Sequence, residues 1–309
     1  MKKLILISLL TVTMQNALQA QQGLSEEGYK HWVKAITLME NIQSEKNYLL
    51  VRDEFIKVTE TDPNYAETYY NLGSLCTKMG ELGGGIPMFD AAKTHYDKYL
   101  ELRPSERAEI IKEQAKLEVK RESFIENIGL NMVLIEGGEF KKKKSIITIE
   151  PFYAQTYMFT VADYKRLITP MAILVAEELS GEKTVHLSEQ QSPTGNDNVP
   201  YILNFYTAVE IVEVLKIVTG RNYFIPAMNQ NKLMEKNKNL RFGGKYINEN
   251  GKKRDIVEWK GDSIEATLEL VKKYSRMLRF NEKHFQRKEY VGYIYCFRLA
   301  LPVSDISKK

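Results

Sequence analysis

The side chains able to do chemistry are few and scattered. There are two cysteines, Cys76 and Cys296, and four histidines, His31, His95, His186 and His284. A structural zinc site needs thiolates or imidazoles at short, repeated spacings, and no two of these six residues show one. A reactive thiol needs a cation, a helix N-terminus or an imidazole beside it to lower its pKa; no helix start or imidazole stands near Cys296 in sequence. On a strand Cys296 shares a face with Arg298, and it reads as a small buried hydrophobe. The segment Gly195, Asn196, Asp197, Asn198 lacks the repeated acids and terminal Glu of a calcium loop and reads as a polar turn. Glu258 and Asp262 form a possible carboxylate pair for acid–base work, but with Arg254 close by they also fit a salt-bridged edge. There is no nucleotide-cradling glycine loop and no nucleophile-elbow motif. The residues therefore predict no catalytic group, no metal and no cofactor.

The elements that would hold these residues fall into three blocks. Residues 1–20 have the order of an export signal: basic Lys2 and Lys3, an apolar run from Leu4 to Val12, and small Ala17 and Ala20 at the positions a signal peptidase reads. The apolar run is shorter than the roughly 18–20 residues of a spanning helix, so cleavage after Ala20 is expected, with Gln21 as the new N-terminus and no membrane span remaining. The expected location is periplasmic or secreted, in a bacterial envelope. Lys2 and Lys3 leave with the signal and no acid does, so the formal charge of +4 falls to +2. A nearly neutral exported chain is a poor partner for nucleic acid. The 309 residues, 43% hydrophobic and 27% charged, suit a soluble protein of two ordinary domains.

From Tyr29 to about Phe124 apolar residues recur every three or four positions, which predicts helices. Asp62-Pro63 and Arg103-Pro104 interrupt the pattern. Aligned on those prolines, Val51 and Phe55 fall where Ala92 and Tyr96 fall, so the segment repeats internally. Small Gly73 and Ala92 allow paired helices to approach, and Tyr69, Leu72 and Tyr96 fill the space between them. Gly80 to Pro87 forms an unusually long turn, and Glu106 to Arg121, with Ile110, Ala115 and Leu117 on one side, forms a further capping helix. With Tyr69, Leu72 and Gly73 at the head of the second hairpin, residues 29–104 resemble the tetratricopeptide-repeat family. The resemblance implies a face for a peptide or partner helix, on which Glu67, Tyr70, Ser74 and Thr77 are the expected contact residues. So short an array also fits a prop for the neighbouring domain.

After Ser123–Leu130 the pattern changes to short strands and turns. Met132, Val133, Ile135, Gly137, Gly138 and Phe140 open it, Pro151-Phe152-Tyr153 and Thr160 to Tyr164 follow, then Val199 to Ala208 lead into a helix over Glu210–Val218 that stops at Gly220. Asp255 to Trp259 form a strand, and Phe297-Arg298-Leu299-Ala300 close the block. In that order these segments resemble the formylglycine-generating-enzyme (sulfatase-modifying-factor) family over about residues 130–302. Active members carry a cysteine pair before the last strand that binds copper; the matching region, Arg276 to Tyr295, has none. Their carboxylate-rich helix start is replaced here by Phe224 to Lys232, in which Pro226 alone is kept. The resemblance thus implies a fold without its usual chemistry.

The expected architecture is α+β: a signal peptide over 1–20, tetratricopeptide-like helical hairpins over 21–125, and a loop-rich mixed α/β domain of sulfatase-modifying-factor, C-type-lectin-like type over 130–309. The expected function is non-catalytic protein interaction or scaffolding, with another envelope protein or a peptide as partner. A glycan- or peptide-binding domain is the second reading, favoured if aromatic residues converge with Trp259; an oxidase of altered chemistry is the third.

Overall fold

The computed structural model describes residues 23–142, 145–185, 205–226, 245–247, 253–258, 294–296 and 298–306, with 187, 197, 201, 230 and 234 besides. The fold is α+β: mostly helical, with small sheets. It divides into two compact units, Met1–Ile128 with Pro170–Leu179, and Gly129–Thr169 with Ser180–Lys309. The expected signal peptide lies outside the described residues.

Among the described residues the first unit runs through the α-helices α1 (Glu26–Glu40), α2 (Glu45–Thr61), α3 (Ala66–Met79), α4 (Gly85–Leu102) and α5 (Arg107–Ile128). Polar residues fix where the first two begin. Ser25 accepts from the Gly28 amide at 3.1 Å, and Asn47 accepts from the Ser44 amide at 3.1 Å. Helices α2 and α4 end alike. Asp62 (φ −130°, ψ 69°) and Arg103 (φ −133°, ψ 63°) take nearly the same non-helical backbone, as the proline that follows each disfavours the helical region. Each donates its amide to a carbonyl one turn back, Val58 or Tyr99, at 2.8 Å. Each then accepts from the residue three positions on, Tyr65 at 3.0 Å and Glu106 at 3.1 Å.

Between α3 and α4 the sequence predicts a long turn over Gly80–Pro87. The structure breaks the helix there, with Gly83 (φ 111°, ψ 0°) and Gly85 (φ 68°, ψ −151°) outside helical geometry, but the break is shorter than expected: α4 starts at Gly85 and Pro87 lies in its first turn, where its missing amide costs no hydrogen bond. The two helices come together at Gly73, as the small residue there predicts: a Cβ at Gly73 would stand 2.7 Å from the Tyr96 ring. Among the described residues the core of this unit holds two apolar clusters. One gathers Trp32, Phe55, Leu72, Met79 and Met88, with Trp32 edge-on to Phe55 and Tyr65 at 5.3 and 5.2 Å. The other gathers Cys76, Phe89, Tyr96, Tyr99, Ile110 and Leu117. Ala115, expected beside Ile110 and Leu117, is exposed instead, because a helical turn of 3.6 residues places it on the opposite side of α5 from both.

The first unit also takes a helix from beyond residue 130. Sequence reading puts everything from 130 onward in the second domain, whereas Pro170–Leu179 groups with the first unit. This helix buries Met171, Ala172, Val175 and Ala176, and Met171 and Val175 join the Trp32 cluster. Its one apolar face, repeating at i and i+4, needs a partner surface, and the helical array supplies it.

In the second unit β1 (Met132–Ile135), β2 (Gly138–Lys142), β3 (Ser145–Ile149) and β4 (Phe152–Gln155) are followed by α6 (Val161–Leu167). The helix Pro170–Ser180 that joins the first unit is α7, and α8 covers Phe205–Thr219. Strands β5 (Lys245–Ile247), β6 (Lys253–Glu258), β7 (Ile294–Cys296) and β8 (Ala300–Pro302) lead to the short α9 (Val303–Ile306). Strands β1 and β8 flank β4 in an antiparallel sheet, with Ile135 opposite Phe152 and Ala154 opposite Ala300; of the expected closing segment Phe297–Ala300 only Ala300 falls in β8. β2 pairs with β3, and β6 runs antiparallel to β5 and parallel to β7. Ile135, Ile149, Phe152, Ala154, Met234 and Ala300 form a core cluster there.

Candidate functional site

The four expected contact residues lie on α3 but do not form one open face. Thr77 is buried, and its hydroxyl donates to the Gly73 carbonyl at 2.8 Å. Tyr70 packs in the Tyr96–Tyr99 cluster, its ring 6.0 Å from Tyr96 and 5.6 Å from Tyr99. Burial, then the nearby Glu113 and Glu109 carboxylates of α5, push its phenol up, so Tyr70 stays a neutral packing residue. Glu67 accepts from Arg103 Nη2 at 3.0 Å, tying the head of α3 to the end of α4, and its second oxygen is buried without a hydrogen bond. Ser74 alone of the four is exposed. Helix α5 accounts for this: Ile110 and Leu117 pack into the cluster that Tyr70 borders.

What α5 covers on one side it exposes on the other. Ile111 is 51% and Val119 62% exposed, and with exposed Ala108 and Ala115 between and beside them they form a stripe one face wide along the first half of the helix. Exposed Glu118, Glu122 and Glu126 continue that side in its second half.

Where α2, α3, α4 and α7 supply polar groups, reactive types do gather, but their protonation states are inert. Arg52 Nη2 donates to Glu178 at 2.6 Å and to Asp53 at 3.1 Å, and burial of the guanidinium is outweighed by these two carboxylates, which raise its pKa. Arg52 Nε is buried without a hydrogen bond. Cys76 is buried, and burial pushes its thiol up to about 12; the Arg52 charge pulls down and Glu178 pushes up. His95 is pushed down by burial and then by Arg52, so it favours the neutral ring. With the thiol held protonated and the imidazole favouring its neutral form, Cys76 and His95 provide no activated nucleophile.

A second ionic centre lies between α1 and α2. Glu54, only 4% exposed, accepts from His31 Nδ1 at 2.7 Å and from Lys34 and Lys57 at 2.8 Å each. Burial alone would push its carboxyl up; the three hydrogen bonds outweigh it and hold the group at about 2.

In the second unit a buried polar network links strand β4, helix α6 and the residues before β8. Asp163 Oδ2 accepts from the Thr160 amide at 3.0 Å and Gln155 Nε2 at 3.1 Å, and Oδ1 accepts from Arg166 at 2.7 Å. Arg298, fully buried, donates to the Gln155 carbonyl. Sequence reading missed Gln155 and Asp163 as a unit; the signal was Thr160 followed three residues later by an acid, a capping box. Asp197, in the segment read as a polar turn, accepts from Lys165 at 2.8 Å, and its carbonyl accepts from the Ala162 amide.

No family model, curated protein or solved structure matches the chain. Among the described residues no group of three His, Cys, Asp or Glu side chains is placed to hold a metal ion, and no helix is long and apolar enough to cross a membrane. His186, His284, Trp259, Asp262 and most of Arg276–Tyr295 lie outside the described residues. Of Cys296 the backbone alone is described, opposite Glu258.

Proposed function

We propose that the chain is an exported, non-catalytic interaction protein of the bacterial envelope. In this reading residues 21–125 are a short tetratricopeptide-like docking array, and residues 130–309 are a sulfatase-modifying-factor-type domain without its copper-binding cysteine pair. The observation that carries the proposal is the outward stripe of α5. The last helix of a closed helical array needs a polar outer face to stay soluble, whereas this one leaves Ile111 and Val119 in solvent, ready to pack against a helix of another protein. The shared end geometry at Asp62 and Arg103 supports the repeat. Arg52 and Glu54 are occupied in tying helices together and the Cys76 thiol is held protonated, which supports a binding role over catalysis.

Three measurements test it. N-terminal sequencing of protein taken from cell envelopes is expected to start at Gln21; an intact Met1 on a cytoplasmic protein overturns export. Pull-down from envelope extract with mass spectrometry is expected to capture a protein partner that the Ile111→Glu/Val119→Glu variant loses. Equal capture by that folded variant refutes the α5 surface. Copper-dependent conversion of a cysteine to formylglycine in a sulfatase-motif peptide would restore an enzyme.

A further inference from the structure

We propose that the seat of helix α7 on the first unit is a second docking site, filled in cis, which accepts in trans a partner helix with apolar residues at i and i+4 and a carboxylate at i+7. The inference rests on the interaction reading above and uses a different surface.

The seat is built where α3 turns into α4. A Cβ at Gly84 would meet the Met88 side chain at 2.7 Å, the Met79 carbonyl at 2.9 Å and Val175 of α7 at 3.1 Å. The bare backbone there lets a helix approach closely. Met171 and Val175, one turn apart on α7, fill the apolar part, and the thioether side chains of Met79 and Met88 can adapt to more than one occupant. Glu178, seven residues after Met171, reaches Arg52.

That polar clasp is incomplete. Arg52 spends Nη2 on both Glu178 and Asp53, while its buried Nε has no hydrogen bond. The strong arginine–carboxylate arrangement engages two N–H groups with two oxygens of one carboxylate, and α7 does not achieve it. A partner helix that presents its carboxylate side-on to Nε and Nη2 satisfies the buried donor as well, and so can compete with a helix that has the advantage of being tethered. The seat's charge, apolar pattern and spare donor all specify one class of ligand, an apolar helix carrying an acid.

The test uses the full chain and a fluorescein-labelled synthetic peptide of residues 168–181 as probe. Met171→Asp/Val175→Asp should release α7, seen as faster amide hydrogen exchange over 170–180, and should raise peptide affinity by anisotropy at least about tenfold over wild type, as removing a tethered competitor requires. Adding Arg52→Ala to that variant should cost about tenfold of the gain, on the scale of a lost charge-assisted contact. If the double variant does not fold, Glu178→Arg alone is expected to increase peptide binding, and Arg52→Glu with Glu178→Arg to return it to the wild-type level. Release of α7 without gain in peptide binding, or equal binding by wild type and variant, overturns the proposal. That failure would leave capture through Ile111 and Val119 untouched, so the two readings separate.

Discussion

Replacing Glu54 by Gln keeps the shape of the side chain and removes the charge that holds His31, Lys34 and Lys57. The folded carboxyl sits at about 2 against an ordinary 4.5. A group depressed in the folded state stabilises it fully above the unfolded value and loses that contribution as pH falls toward the folded one. The drop corresponds to roughly 3 kcal/mol at neutral pH, and because the two lysines are about half exposed, screening reduces this to about 2 kcal/mol. For a unit of this size that is a melting-temperature loss of roughly 4–8 °C. Trp32 lies in the same unit's core, so fluorescence melts in a Trp259→Phe background follow this unit directly. At pH 7 Glu54→Gln should melt lower by that amount, and the gap should close between pH 4.5 and 2, as the wild-type carboxyl takes up its proton. Equal melting at pH 7, or a gap still at full size at pH 2, would show that the three hydrogen bonds do not hold the helices together.

Gly73→Ala drives a methyl into the buried Tyr96 ring and should cost about 1–3 kcal/mol in urea unfolding, with no loss beyond 0.5 kcal/mol refuting the close approach. Arg298→Met leaves the Gln155 carbonyl without its buried donor and should destabilise the second unit by about 2–4 kcal/mol, read from the separate unfolding step of that unit. In a Cys296→Ser background Cys76 should resist an aromatic disulfide reagent at pH 8 in the native state and react fully in denaturant. Rapid native labelling would contradict a thiol held at about 12.

Much of the helical half is legible in the residues, because its determinants are local. Proline after Asp62 and after Arg103 stops a helix wherever the chain goes next, and a glycine opposite a tyrosine marks a tight crossing. In the Gly80–Pro87 stretch glycine signals the break by composition, and Gly83 at φ 111° makes it, while the point where α4 resumes, ahead of Pro87, depends on what packs around it. The repeat resemblance assigns Glu67, Tyr70, Ser74 and Thr77 to one face of a helix, and a resemblance of one hairpin cannot reveal that α5 covers part of that side. The membership of α7 was illegible for a related reason. Met171 and Val175 announce a buried face, but which surface buries it is decided by groups more than a hundred positions earlier, such as Arg52. The Gln155–Asp163–Arg298 network likewise joins residues far apart in the chain, and only its local piece, Thr160 with Asp163, left a sequence mark.

The route of the backbone has a consequence for synthesis. It passes between the two units three times, after Ile128, after Thr169 and after Leu179. A ribosome therefore finishes α5 well before it makes the helix that seals Met79 and Met88. At about 5–20 residues per second, the gap is roughly 3–10 s, during which the nascent array presents an oily notch to whatever is nearby. A chaperone or translocation factor that covers methionine-lined notches would find its substrate in that interval. Truncations ending near residue 128 would freeze the chain in that unsealed state, so they are expected to be sticky even though every helix of the array is present.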